Sequence, residues 1–229
     1  IIDYSVKKVV FITENEKDNF VKLGGSLRHS DVIYNIVSTI ESSTEAPPRI
    51  SQDNRFKVCV LANYSYMRGI DRLIDIAKYF LKIDCKNVVF VVAGDISLTR
   101  SLPGKLGVVA RRNGSLSDYA NESGVGDMFI FLGHVNDPGS VLSSCNALIS
   151  PSRENNPWGR DVLEALSCGL PVIATGKYDK FVEDKVTGFL FNKFDVKKIS
   201  DCIIELSKNK KLVKKMGKDG RKRVQKLCN

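Results

Sequence analysis

Ser150–Thr175 reads SPSRENNPWGRDVLEALSCGLPVIAT, and a loop, a helix start and a buried strand follow one another within it. The apolar run Ala147–Ser150 leads in, Pro151 and Pro157 punctuate a polar loop, and Val162, Ala165 and Leu166 then recur at helical spacing. A helix is therefore expected to begin between Trp158 and Arg160. The first amides of such a helix lack intrahelical partners and its dipole is positive at that end, so an anionic group can be held there without a metal. From Ser167 onward, SCGLPVIAT turns the chain back into a strand.

The same alternation extends outward. Strands are expected at Lys57–Ala62, Asn87–Ala93, Met128–Leu132, Ala147–Ser150, Val172–Ala174 and Gly188–Phe191. Helices are expected at 69–82, 115–122, 139–144 and 159–168, and again from 192 to the end. Such a pattern specifies an α/β fold, a Rossmann-like doubly wound parallel sheet covered on both faces, with ligands beyond the carboxyl ends of its strands. Upstream, Val6–Thr13 reads as a strand, Glu14–Leu23 as a helix ended by Gly24-Gly25, and Val32–Val37 as a further apolar run. Ser42–Asn54 (SSTEAPPRISQDN) has the composition of a linker. The boundary is thus expected near residue 50, with a partial second domain over 1–50 and the main domain over 51–229.

With 229 residues, 43% of them hydrophobic and 8% aromatic, the chain can bury a substantial core. No charged leader precedes an apolar block, and no run of about 18 uncharged apolar residues occurs. Cys59, Cys85, Cys145, Cys168, Cys202 and Cys228 are scattered without a Cys-x-x-Cys, and the chain has only 2 histidines. That usage suits a reduced, cytoplasmic protein and gives no zinc pattern. The net charge of +9 is local: Lys208–Asn229 holds 10 Lys or Arg against Asp219 alone, and the remainder balances at 25 against 25. Leu212, Val213, Met216 and Val224 recur there at helical spacing, so a solvated face of an amphipathic helix accounts for the charge, and attraction to anionic lipid headgroups is the alternative. Nucleic acid is disfavoured because no aromatic residue interleaves the charges to stack on bases.

Pro151-Ser152, Pro157-Trp158-Gly159, Glu164-Ala165, Cys168-Gly169 and Pro171-Val172-Ile173 together resemble the donor-binding core of the retaining family 4 glycosyltransferases, which have the two-domain GT-B fold. The resemblance covers about residues 56–227 and, more weakly, 6–40. It implies a metal-independent transferase that moves a sugar from a nucleotide-sugar to a glycan, lipid-linked or other acceptor with retention of configuration. It also implies that residues 1–50 end an acceptor-side domain, so this chain alone is expected to bind the donor without transferring it. Membrane contact through the basic C-terminal helices would suit a lipid-linked acceptor.

The resemblance departs at one acid. Relatives place a glutamate eight positions before the second one, where this chain has Asn156; the nearest acid, Glu154, lies ten positions before Glu164. Either Asn156 replaces the sugar contact as a neutral hydrogen-bonding group, or a longer loop folds Glu154 in; Asn-Asn-Pro as a plain turn accounts for both without a ligand. Glu164 matches the glutamate that binds the ribose hydroxyls, a sound use of two carboxylate oxygens. Relatives also direct an arginine and a lysine at the leaving diphosphate, whose developing charge is the main object of catalysis. Arg68 matches the lysine, while the arginine position falls on Ala62 or Asn63, so Arg160 at the helix start is the candidate replacement. Gly94 after VVFVVA and the Gly133-His134-Val135 loop match segments near the nucleotide-sugar and its base. Arg68, Arg160 and Glu154 are thus the catalytic candidates, and Asn63, Gly94, Gly133, His134, Val135, Asn156, Pro157, Trp158, Gly159 and Glu164 the substrate-binding ones.

Plain structural roles compete. Arg160 and Glu164 stand at i and i+4, where a surface ion pair is worth about 0.3–0.5 kcal/mol. The missing arginine and Asn156 also suit a catalytically weakened binding or regulatory module. A dinucleotide-dependent oxidoreductase is the weakest reading, because no Gly-x-Gly-x-x-Gly follows a strand.

Overall fold

A computed structural model describes residues 7–26, 29–37 and 47–228. Six strands, β3 (Phe56–Leu61), β4 (Val88–Ala93), β5 (Phe129–Gly133), β6 (Ala147–Ser150), β7 (Val172–Thr175) and β8 (Gly188–Phe191), form one parallel sheet in the order β5-β4-β3-β6-β7-β8. The helices between them are α3 (Arg72–Lys82), α4 (Gly104–Arg111), α5 (Leu116–Glu122), α6 (Pro138–Ser143) and α7 (Arg160–Ser167), and α8 (Val196–Lys208) and α9 (Lys210–Leu227) follow. The connections run one way from β3 to β5 and the other way from β6 to β8. The switch point therefore lies between β3 and β6, where a crevice opens beyond the strand ends.

The strands are apolar runs because both faces are covered. Val58, Val60, Phe90 and Val92 face a core built with Leu73, Ile74, Ala77 and Phe80 of α3 and Ile199 and Ile203 of α8. Cys59, Val89, Val91 and Leu148 face the opposite core, with Val141 and Leu142 of α6 and Val162, Leu163 and Leu166 of α7. Helix α4 was not expected from the sequence: glycines at 104 and 107 weaken its propensity, and burial of Leu106, Val109 and Ala110 overrides it.

A short parallel pair, β1 (Val9–Phe11) and β2 (Ser30–Val32), stands apart from the main sheet, and α1 (Glu14–Lys22) between them is capped by Thr13, whose hydroxyl accepts from Glu16 N–H at 3.1 Å. Within the apolar run Val32–Val37 only Val32 belongs to a strand. Pairing ends where β1 ends, and Val37 instead packs into the core shared with α7. Val6, where the first strand was expected to begin, and residues 42–46 of the expected linker lie outside the described residues. The rest of that linker begins with a helical turn, α2 (Pro48–Ser51), whose Ile50 is fully buried. Glu14 accepts hydrogen bonds from the hydroxyls of Tyr34 and Tyr178, so α1 is tied to the loop after β7. Burial would raise the Glu14 pKa, but these hydroxyls and Lys180 hold it below the ordinary glutamate value.

In α9, Met216 and Val224 are buried and Leu212 and Val213 lie against the core, as their spacing indicates. Two of its cations are structural: Arg221 donates to the Ser167 and Cys168 carbonyls at 3.0 and 2.8 Å, closing the C-terminal end of α7, and Arg223 pairs with Glu183. All six cysteines are free thiols.

Leu148, fully buried at the switch point, tests this packing. Leu148→Ala should lower the unfolding free energy by about 2–5 kcal/mol in urea titration without changing the slope.

Candidate functional site

Beyond the carboxyl ends of β3, β4 and β5 a cavity of about 370 Å³ opens against the start of α7, lined by Asn63, Arg68, Gly94, His134, Val135, Arg160, Asp161 and Glu164 among others. Seven of the residues singled out in the sequence therefore meet in one space. They come from four segments that only the switch-point topology brings together. Gly133, Glu154, Asn156, Pro157, Trp158 and Gly159 are not among its lining residues.

Two loops are tied together beside the cavity. The 62–71 loop carries Arg68 and the 151–159 loop leads into α7, and Arg153 joins them with a bidentate ion pair to Asp71 at 2.8 and 2.6 Å, its guanidinium lying 3.8 Å over the Tyr66 ring. Arg153 N–H donates to Met67 O at 2.8 Å, and Arg72 donates to the Pro151 and Ser152 carbonyls at 3.0 and 3.2 Å. Gly69, at φ +72°, permits this approach, since a Cβ there would stand 2.2 Å from Pro151 O. Gly94 has a similar function inside the fold: at φ +139°, its absent side chain leaves room for Ala62 O, which a Cβ would meet at 2.3 Å. Asn63 Oδ1 accepts from Asp95 N–H at 2.9 Å, fastening the β3 loop to the β4 loop.

Glu154 and Asn156 lie in contact with each other. Asn155 adopts a left-handed φ of 54°, which folds the loop so that Asn156 Nδ2 donates to Glu154 at 3.2 Å, while Ser152 Oγ donates to Asn156 Oδ1 at 2.7 Å. The Asn-Asn-Pro turn thus presents an amide and a carboxylate together. Pro157 and Trp158 are buried. The Trp158 ring packs edge-on against Tyr178 at 5.3 Å and its Nε1 donates to Glu16 at 3.4 Å, so it anchors the helix start to α1 and not to the cavity.

Helix α7 begins after Gly159, within the expected range. Arg160 is exposed and its Nε donates to Glu164 at 2.9 Å, so the i, i+4 ion pair is present and also lines the cavity. Arg68 Nη1 lies 3.7 Å from Asp161 Oδ1. Asp161 escaped the sequence reading; its only signal was an acid in the first turn of a helix, which is common. Burial raises its carboxyl above the ordinary aspartate value, against the opposing pull of Arg68, and Oδ1 has no hydrogen-bond partner. The cavity therefore holds two guanidinium groups facing two carboxyl groups. The guanidinium groups offer forked donors for an anion, and Glu164 offers paired acceptors for a diol.

Arg153→Ala leaves Asp71 without its partner and should cost about 1.5–3 kcal/mol, measured by chemical denaturation, and it should loosen both loops together in amide exchange. Loss of protection in only one loop would contradict the tie.

Comparison with known proteins agrees with this architecture. The capsular polysaccharide biosynthesis glycosyltransferase CapM of Staphylococcus aureus is 33% identical over 99 residues, which is 42% of this chain and 26% of that protein. The N-acetyl-alpha-D-glucosaminyl L-malate synthase of Bacillus anthracis is 30% identical over 100 residues, 43% of this chain and 26% of that protein. The matches thus span about a quarter of these relatives' length. Anabaena HepE, solved with UDP, superposes with a TM-score of 0.78 at 23% identity over 98% of this chain and 60% of its own, a likeness of fold. Residues 42–223 match the family "Glycosyl transferases group 1", and the chain belongs to it.

Proposed function

We propose that the chain is the nucleotide-sugar binding part of a retaining glycosyltransferase. The observation that carries this reading is the convergence of Arg68, Arg160 and Glu164 on one cavity at the sheet's switch point, beside the start of α7. Arg68, Arg160 and the first amides of α7 take the diphosphate, and Glu164 takes the ribose hydroxyls. The paired Glu154 and Asn156 on the adjoining loop meet the sugar. His134 and Val135 border the base, and recognition there falls largely to backbone groups. As the glycosyl bond breaks, negative charge gathers on the leaving diphosphate, and fixed cations stabilise that charge without reorganising. These cations are side chains, so the reading needs no metal. HepE, solved with UDP and in another crystal with UDP-glucose, supports a donor of this class.

Residues 1–50 belong, in this reading, to the end of an acceptor-side domain, and residues 51–229 form the donor-side domain. The acceptor is a glycan or lipid-linked sugar, consistent with the capsular polysaccharide role that CapM's name states. The cations of α9 not used inside the fold, Lys210, Lys211, Lys214, Lys215, Lys218, Lys222 and Lys226, would contact anionic headgroups, giving a cytoplasmic enzyme with peripheral membrane contact. Among the described residues no helix is long and apolar enough to cross a membrane.

A weakened binding module is the second reading. It is favoured by the charge balance of the cavity, where Arg160 is paired with Glu164 and Arg68 with Asp161. Turnover of the sugar donor by the intact protein separates the two.

Calorimetric titration with UDP-, GDP- and ADP-sugars should give one clearly preferred nucleotide. Glu164→Ala and Arg68→Ala should each weaken it about 10–100-fold, the loss of about 1.5–3 kcal/mol expected for a hydrogen bond to a charged group. Undiminished binding in both variants would overturn the reading. If Arg160→Ala leaves turnover intact while Arg68→Ala abolishes it, Arg160 does not replace the absent arginine.

A further inference from the structure

Helix α7 carries a buried carboxyl group that neither the family motif nor the proposed ligand contacts use. Asp161 Oδ1 is shut off from solvent, has no hydrogen-bond partner, and lies 3.7 Å from Arg68 Nη1. Arg68 in turn has no other side-chain partner among the described residues, although 42% of its side chain is exposed at the cavity. Gly159 makes the pairing sterically feasible. A Cβ at that position would stand 2.2 Å from Asp161 Oδ1 and 3.3 Å from Arg68 Nη1, so the missing side chain is the space through which the two groups approach.

An arginine on a loop is a long side chain with much rotamer freedom, and holding it still before the ligand arrives removes an entropy cost from binding. A buried carboxylate is expensive to keep charged, and a nearby guanidinium offsets that expense. We propose that Asp161 is a positioning residue, which holds the Arg68 guanidinium at the floor of the cleft so that its outer N–H groups meet the diphosphate of the donor. The proposal rests on the donor reading above. It gives the Pro-Trp-Gly-Arg-Asp run a physical purpose beyond helix initiation: the glycine clears the space and the aspartate fills it with the partner of a residue 93 positions away in sequence.

The alternative is purely electrostatic. Asp161 would then be one more negative charge beside a bound anion, and removing it would tighten anion binding. The two accounts therefore predict opposite signs, and inorganic pyrophosphate is a probe that does not depend on the base. The intact protein is titrated with pyrophosphate by calorimetry as wild type, Asp161→Asn, Arg68→Ala and the double variant, with Asp161→Ser as a second replacement should Asn perturb folding. Positioning predicts that Asp161→Asn weakens pyrophosphate about 5–10-fold when Arg68 is present, and leaves it unchanged or slightly tighter when Arg68 is alanine.

The pH profile supplies a readout that a packing role would not move. Charged Asp161 holds Arg68 and protonated Asp161 releases it; Arg68, Arg160 and Glu164 are the charged groups around it in the cavity. Because burial raises the Asp161 pKa above the ordinary aspartate value, pyrophosphate affinity should fall on acidification more steeply in the wild type than in Asp161→Asn, where only protonation of the probe and of the other cavity groups remains. Binding in Asp161→Asn as tight as or tighter than wild type, or an equal loss in both Arg68 backgrounds, overturns the positioning role and leaves the donor reading standing. A wild-type protein that does not bind pyrophosphate, or an Arg68→Ala variant that binds it undiminished, overturns both.

Discussion

The ion pair between Arg153 and Asp71 spans 82 positions of sequence and joins the loop that carries Arg68 to the loop that leads into α7. Sheet topology brings β3 and β6 side by side, and neighbouring strand ends alone leave their loops free to diverge. The bidentate pair, the Tyr66 stack and the Arg72 hydrogen bonds convert adjacency into one rigid wall. Arg68 owes its place over the start of α7 to that wall. Gly69 and Gly159 complete it by absence, each leaving room for a close approach that a methyl group would block.

Much of this was legible beforehand because the main sheet is parallel and buried on both faces. Its strands are continuous apolar runs and its longer helices carry clear apolar stripes, so their order and type follow from periodicity. The departures have particular causes. Helix α4 hides behind two glycines that tertiary burial outweighs. The Val32–Val37 run places Val37 in the core of the main domain. In the site, the residues near strand ends were legible, since their position follows from the fold. Arg153, Asp161 and the contact between Glu154 and Asn156 were not, because each depends on a left-handed residue, a loop-to-loop approach or a buried pair that sequence spacing does not encode.

Electrostatics inside the cavity are closer to balance than its arginines suggest. Arg160 is held by Glu164 and Arg68 faces Asp161, so each arginine already has a carboxylate beside it. Such pairing spares both cations an unpaired state. Helix α9 carries its surplus charge outward, except where Arg221 closes the C-terminal end of α7 and Arg223 pairs with Glu183 in the loop between β7 and β8.

A crystal structure of the intact protein bound to the nucleoside diphosphate it prefers addresses the central claim most directly. The account predicts the β-phosphate within hydrogen-bonding distance of the amides at the start of α7 and of the Arg68 guanidinium, with Glu164 on the ribose. A diphosphate bound away from that helix end, or a Glu164 still paired only with Arg160 beside an occupied site, would contradict it.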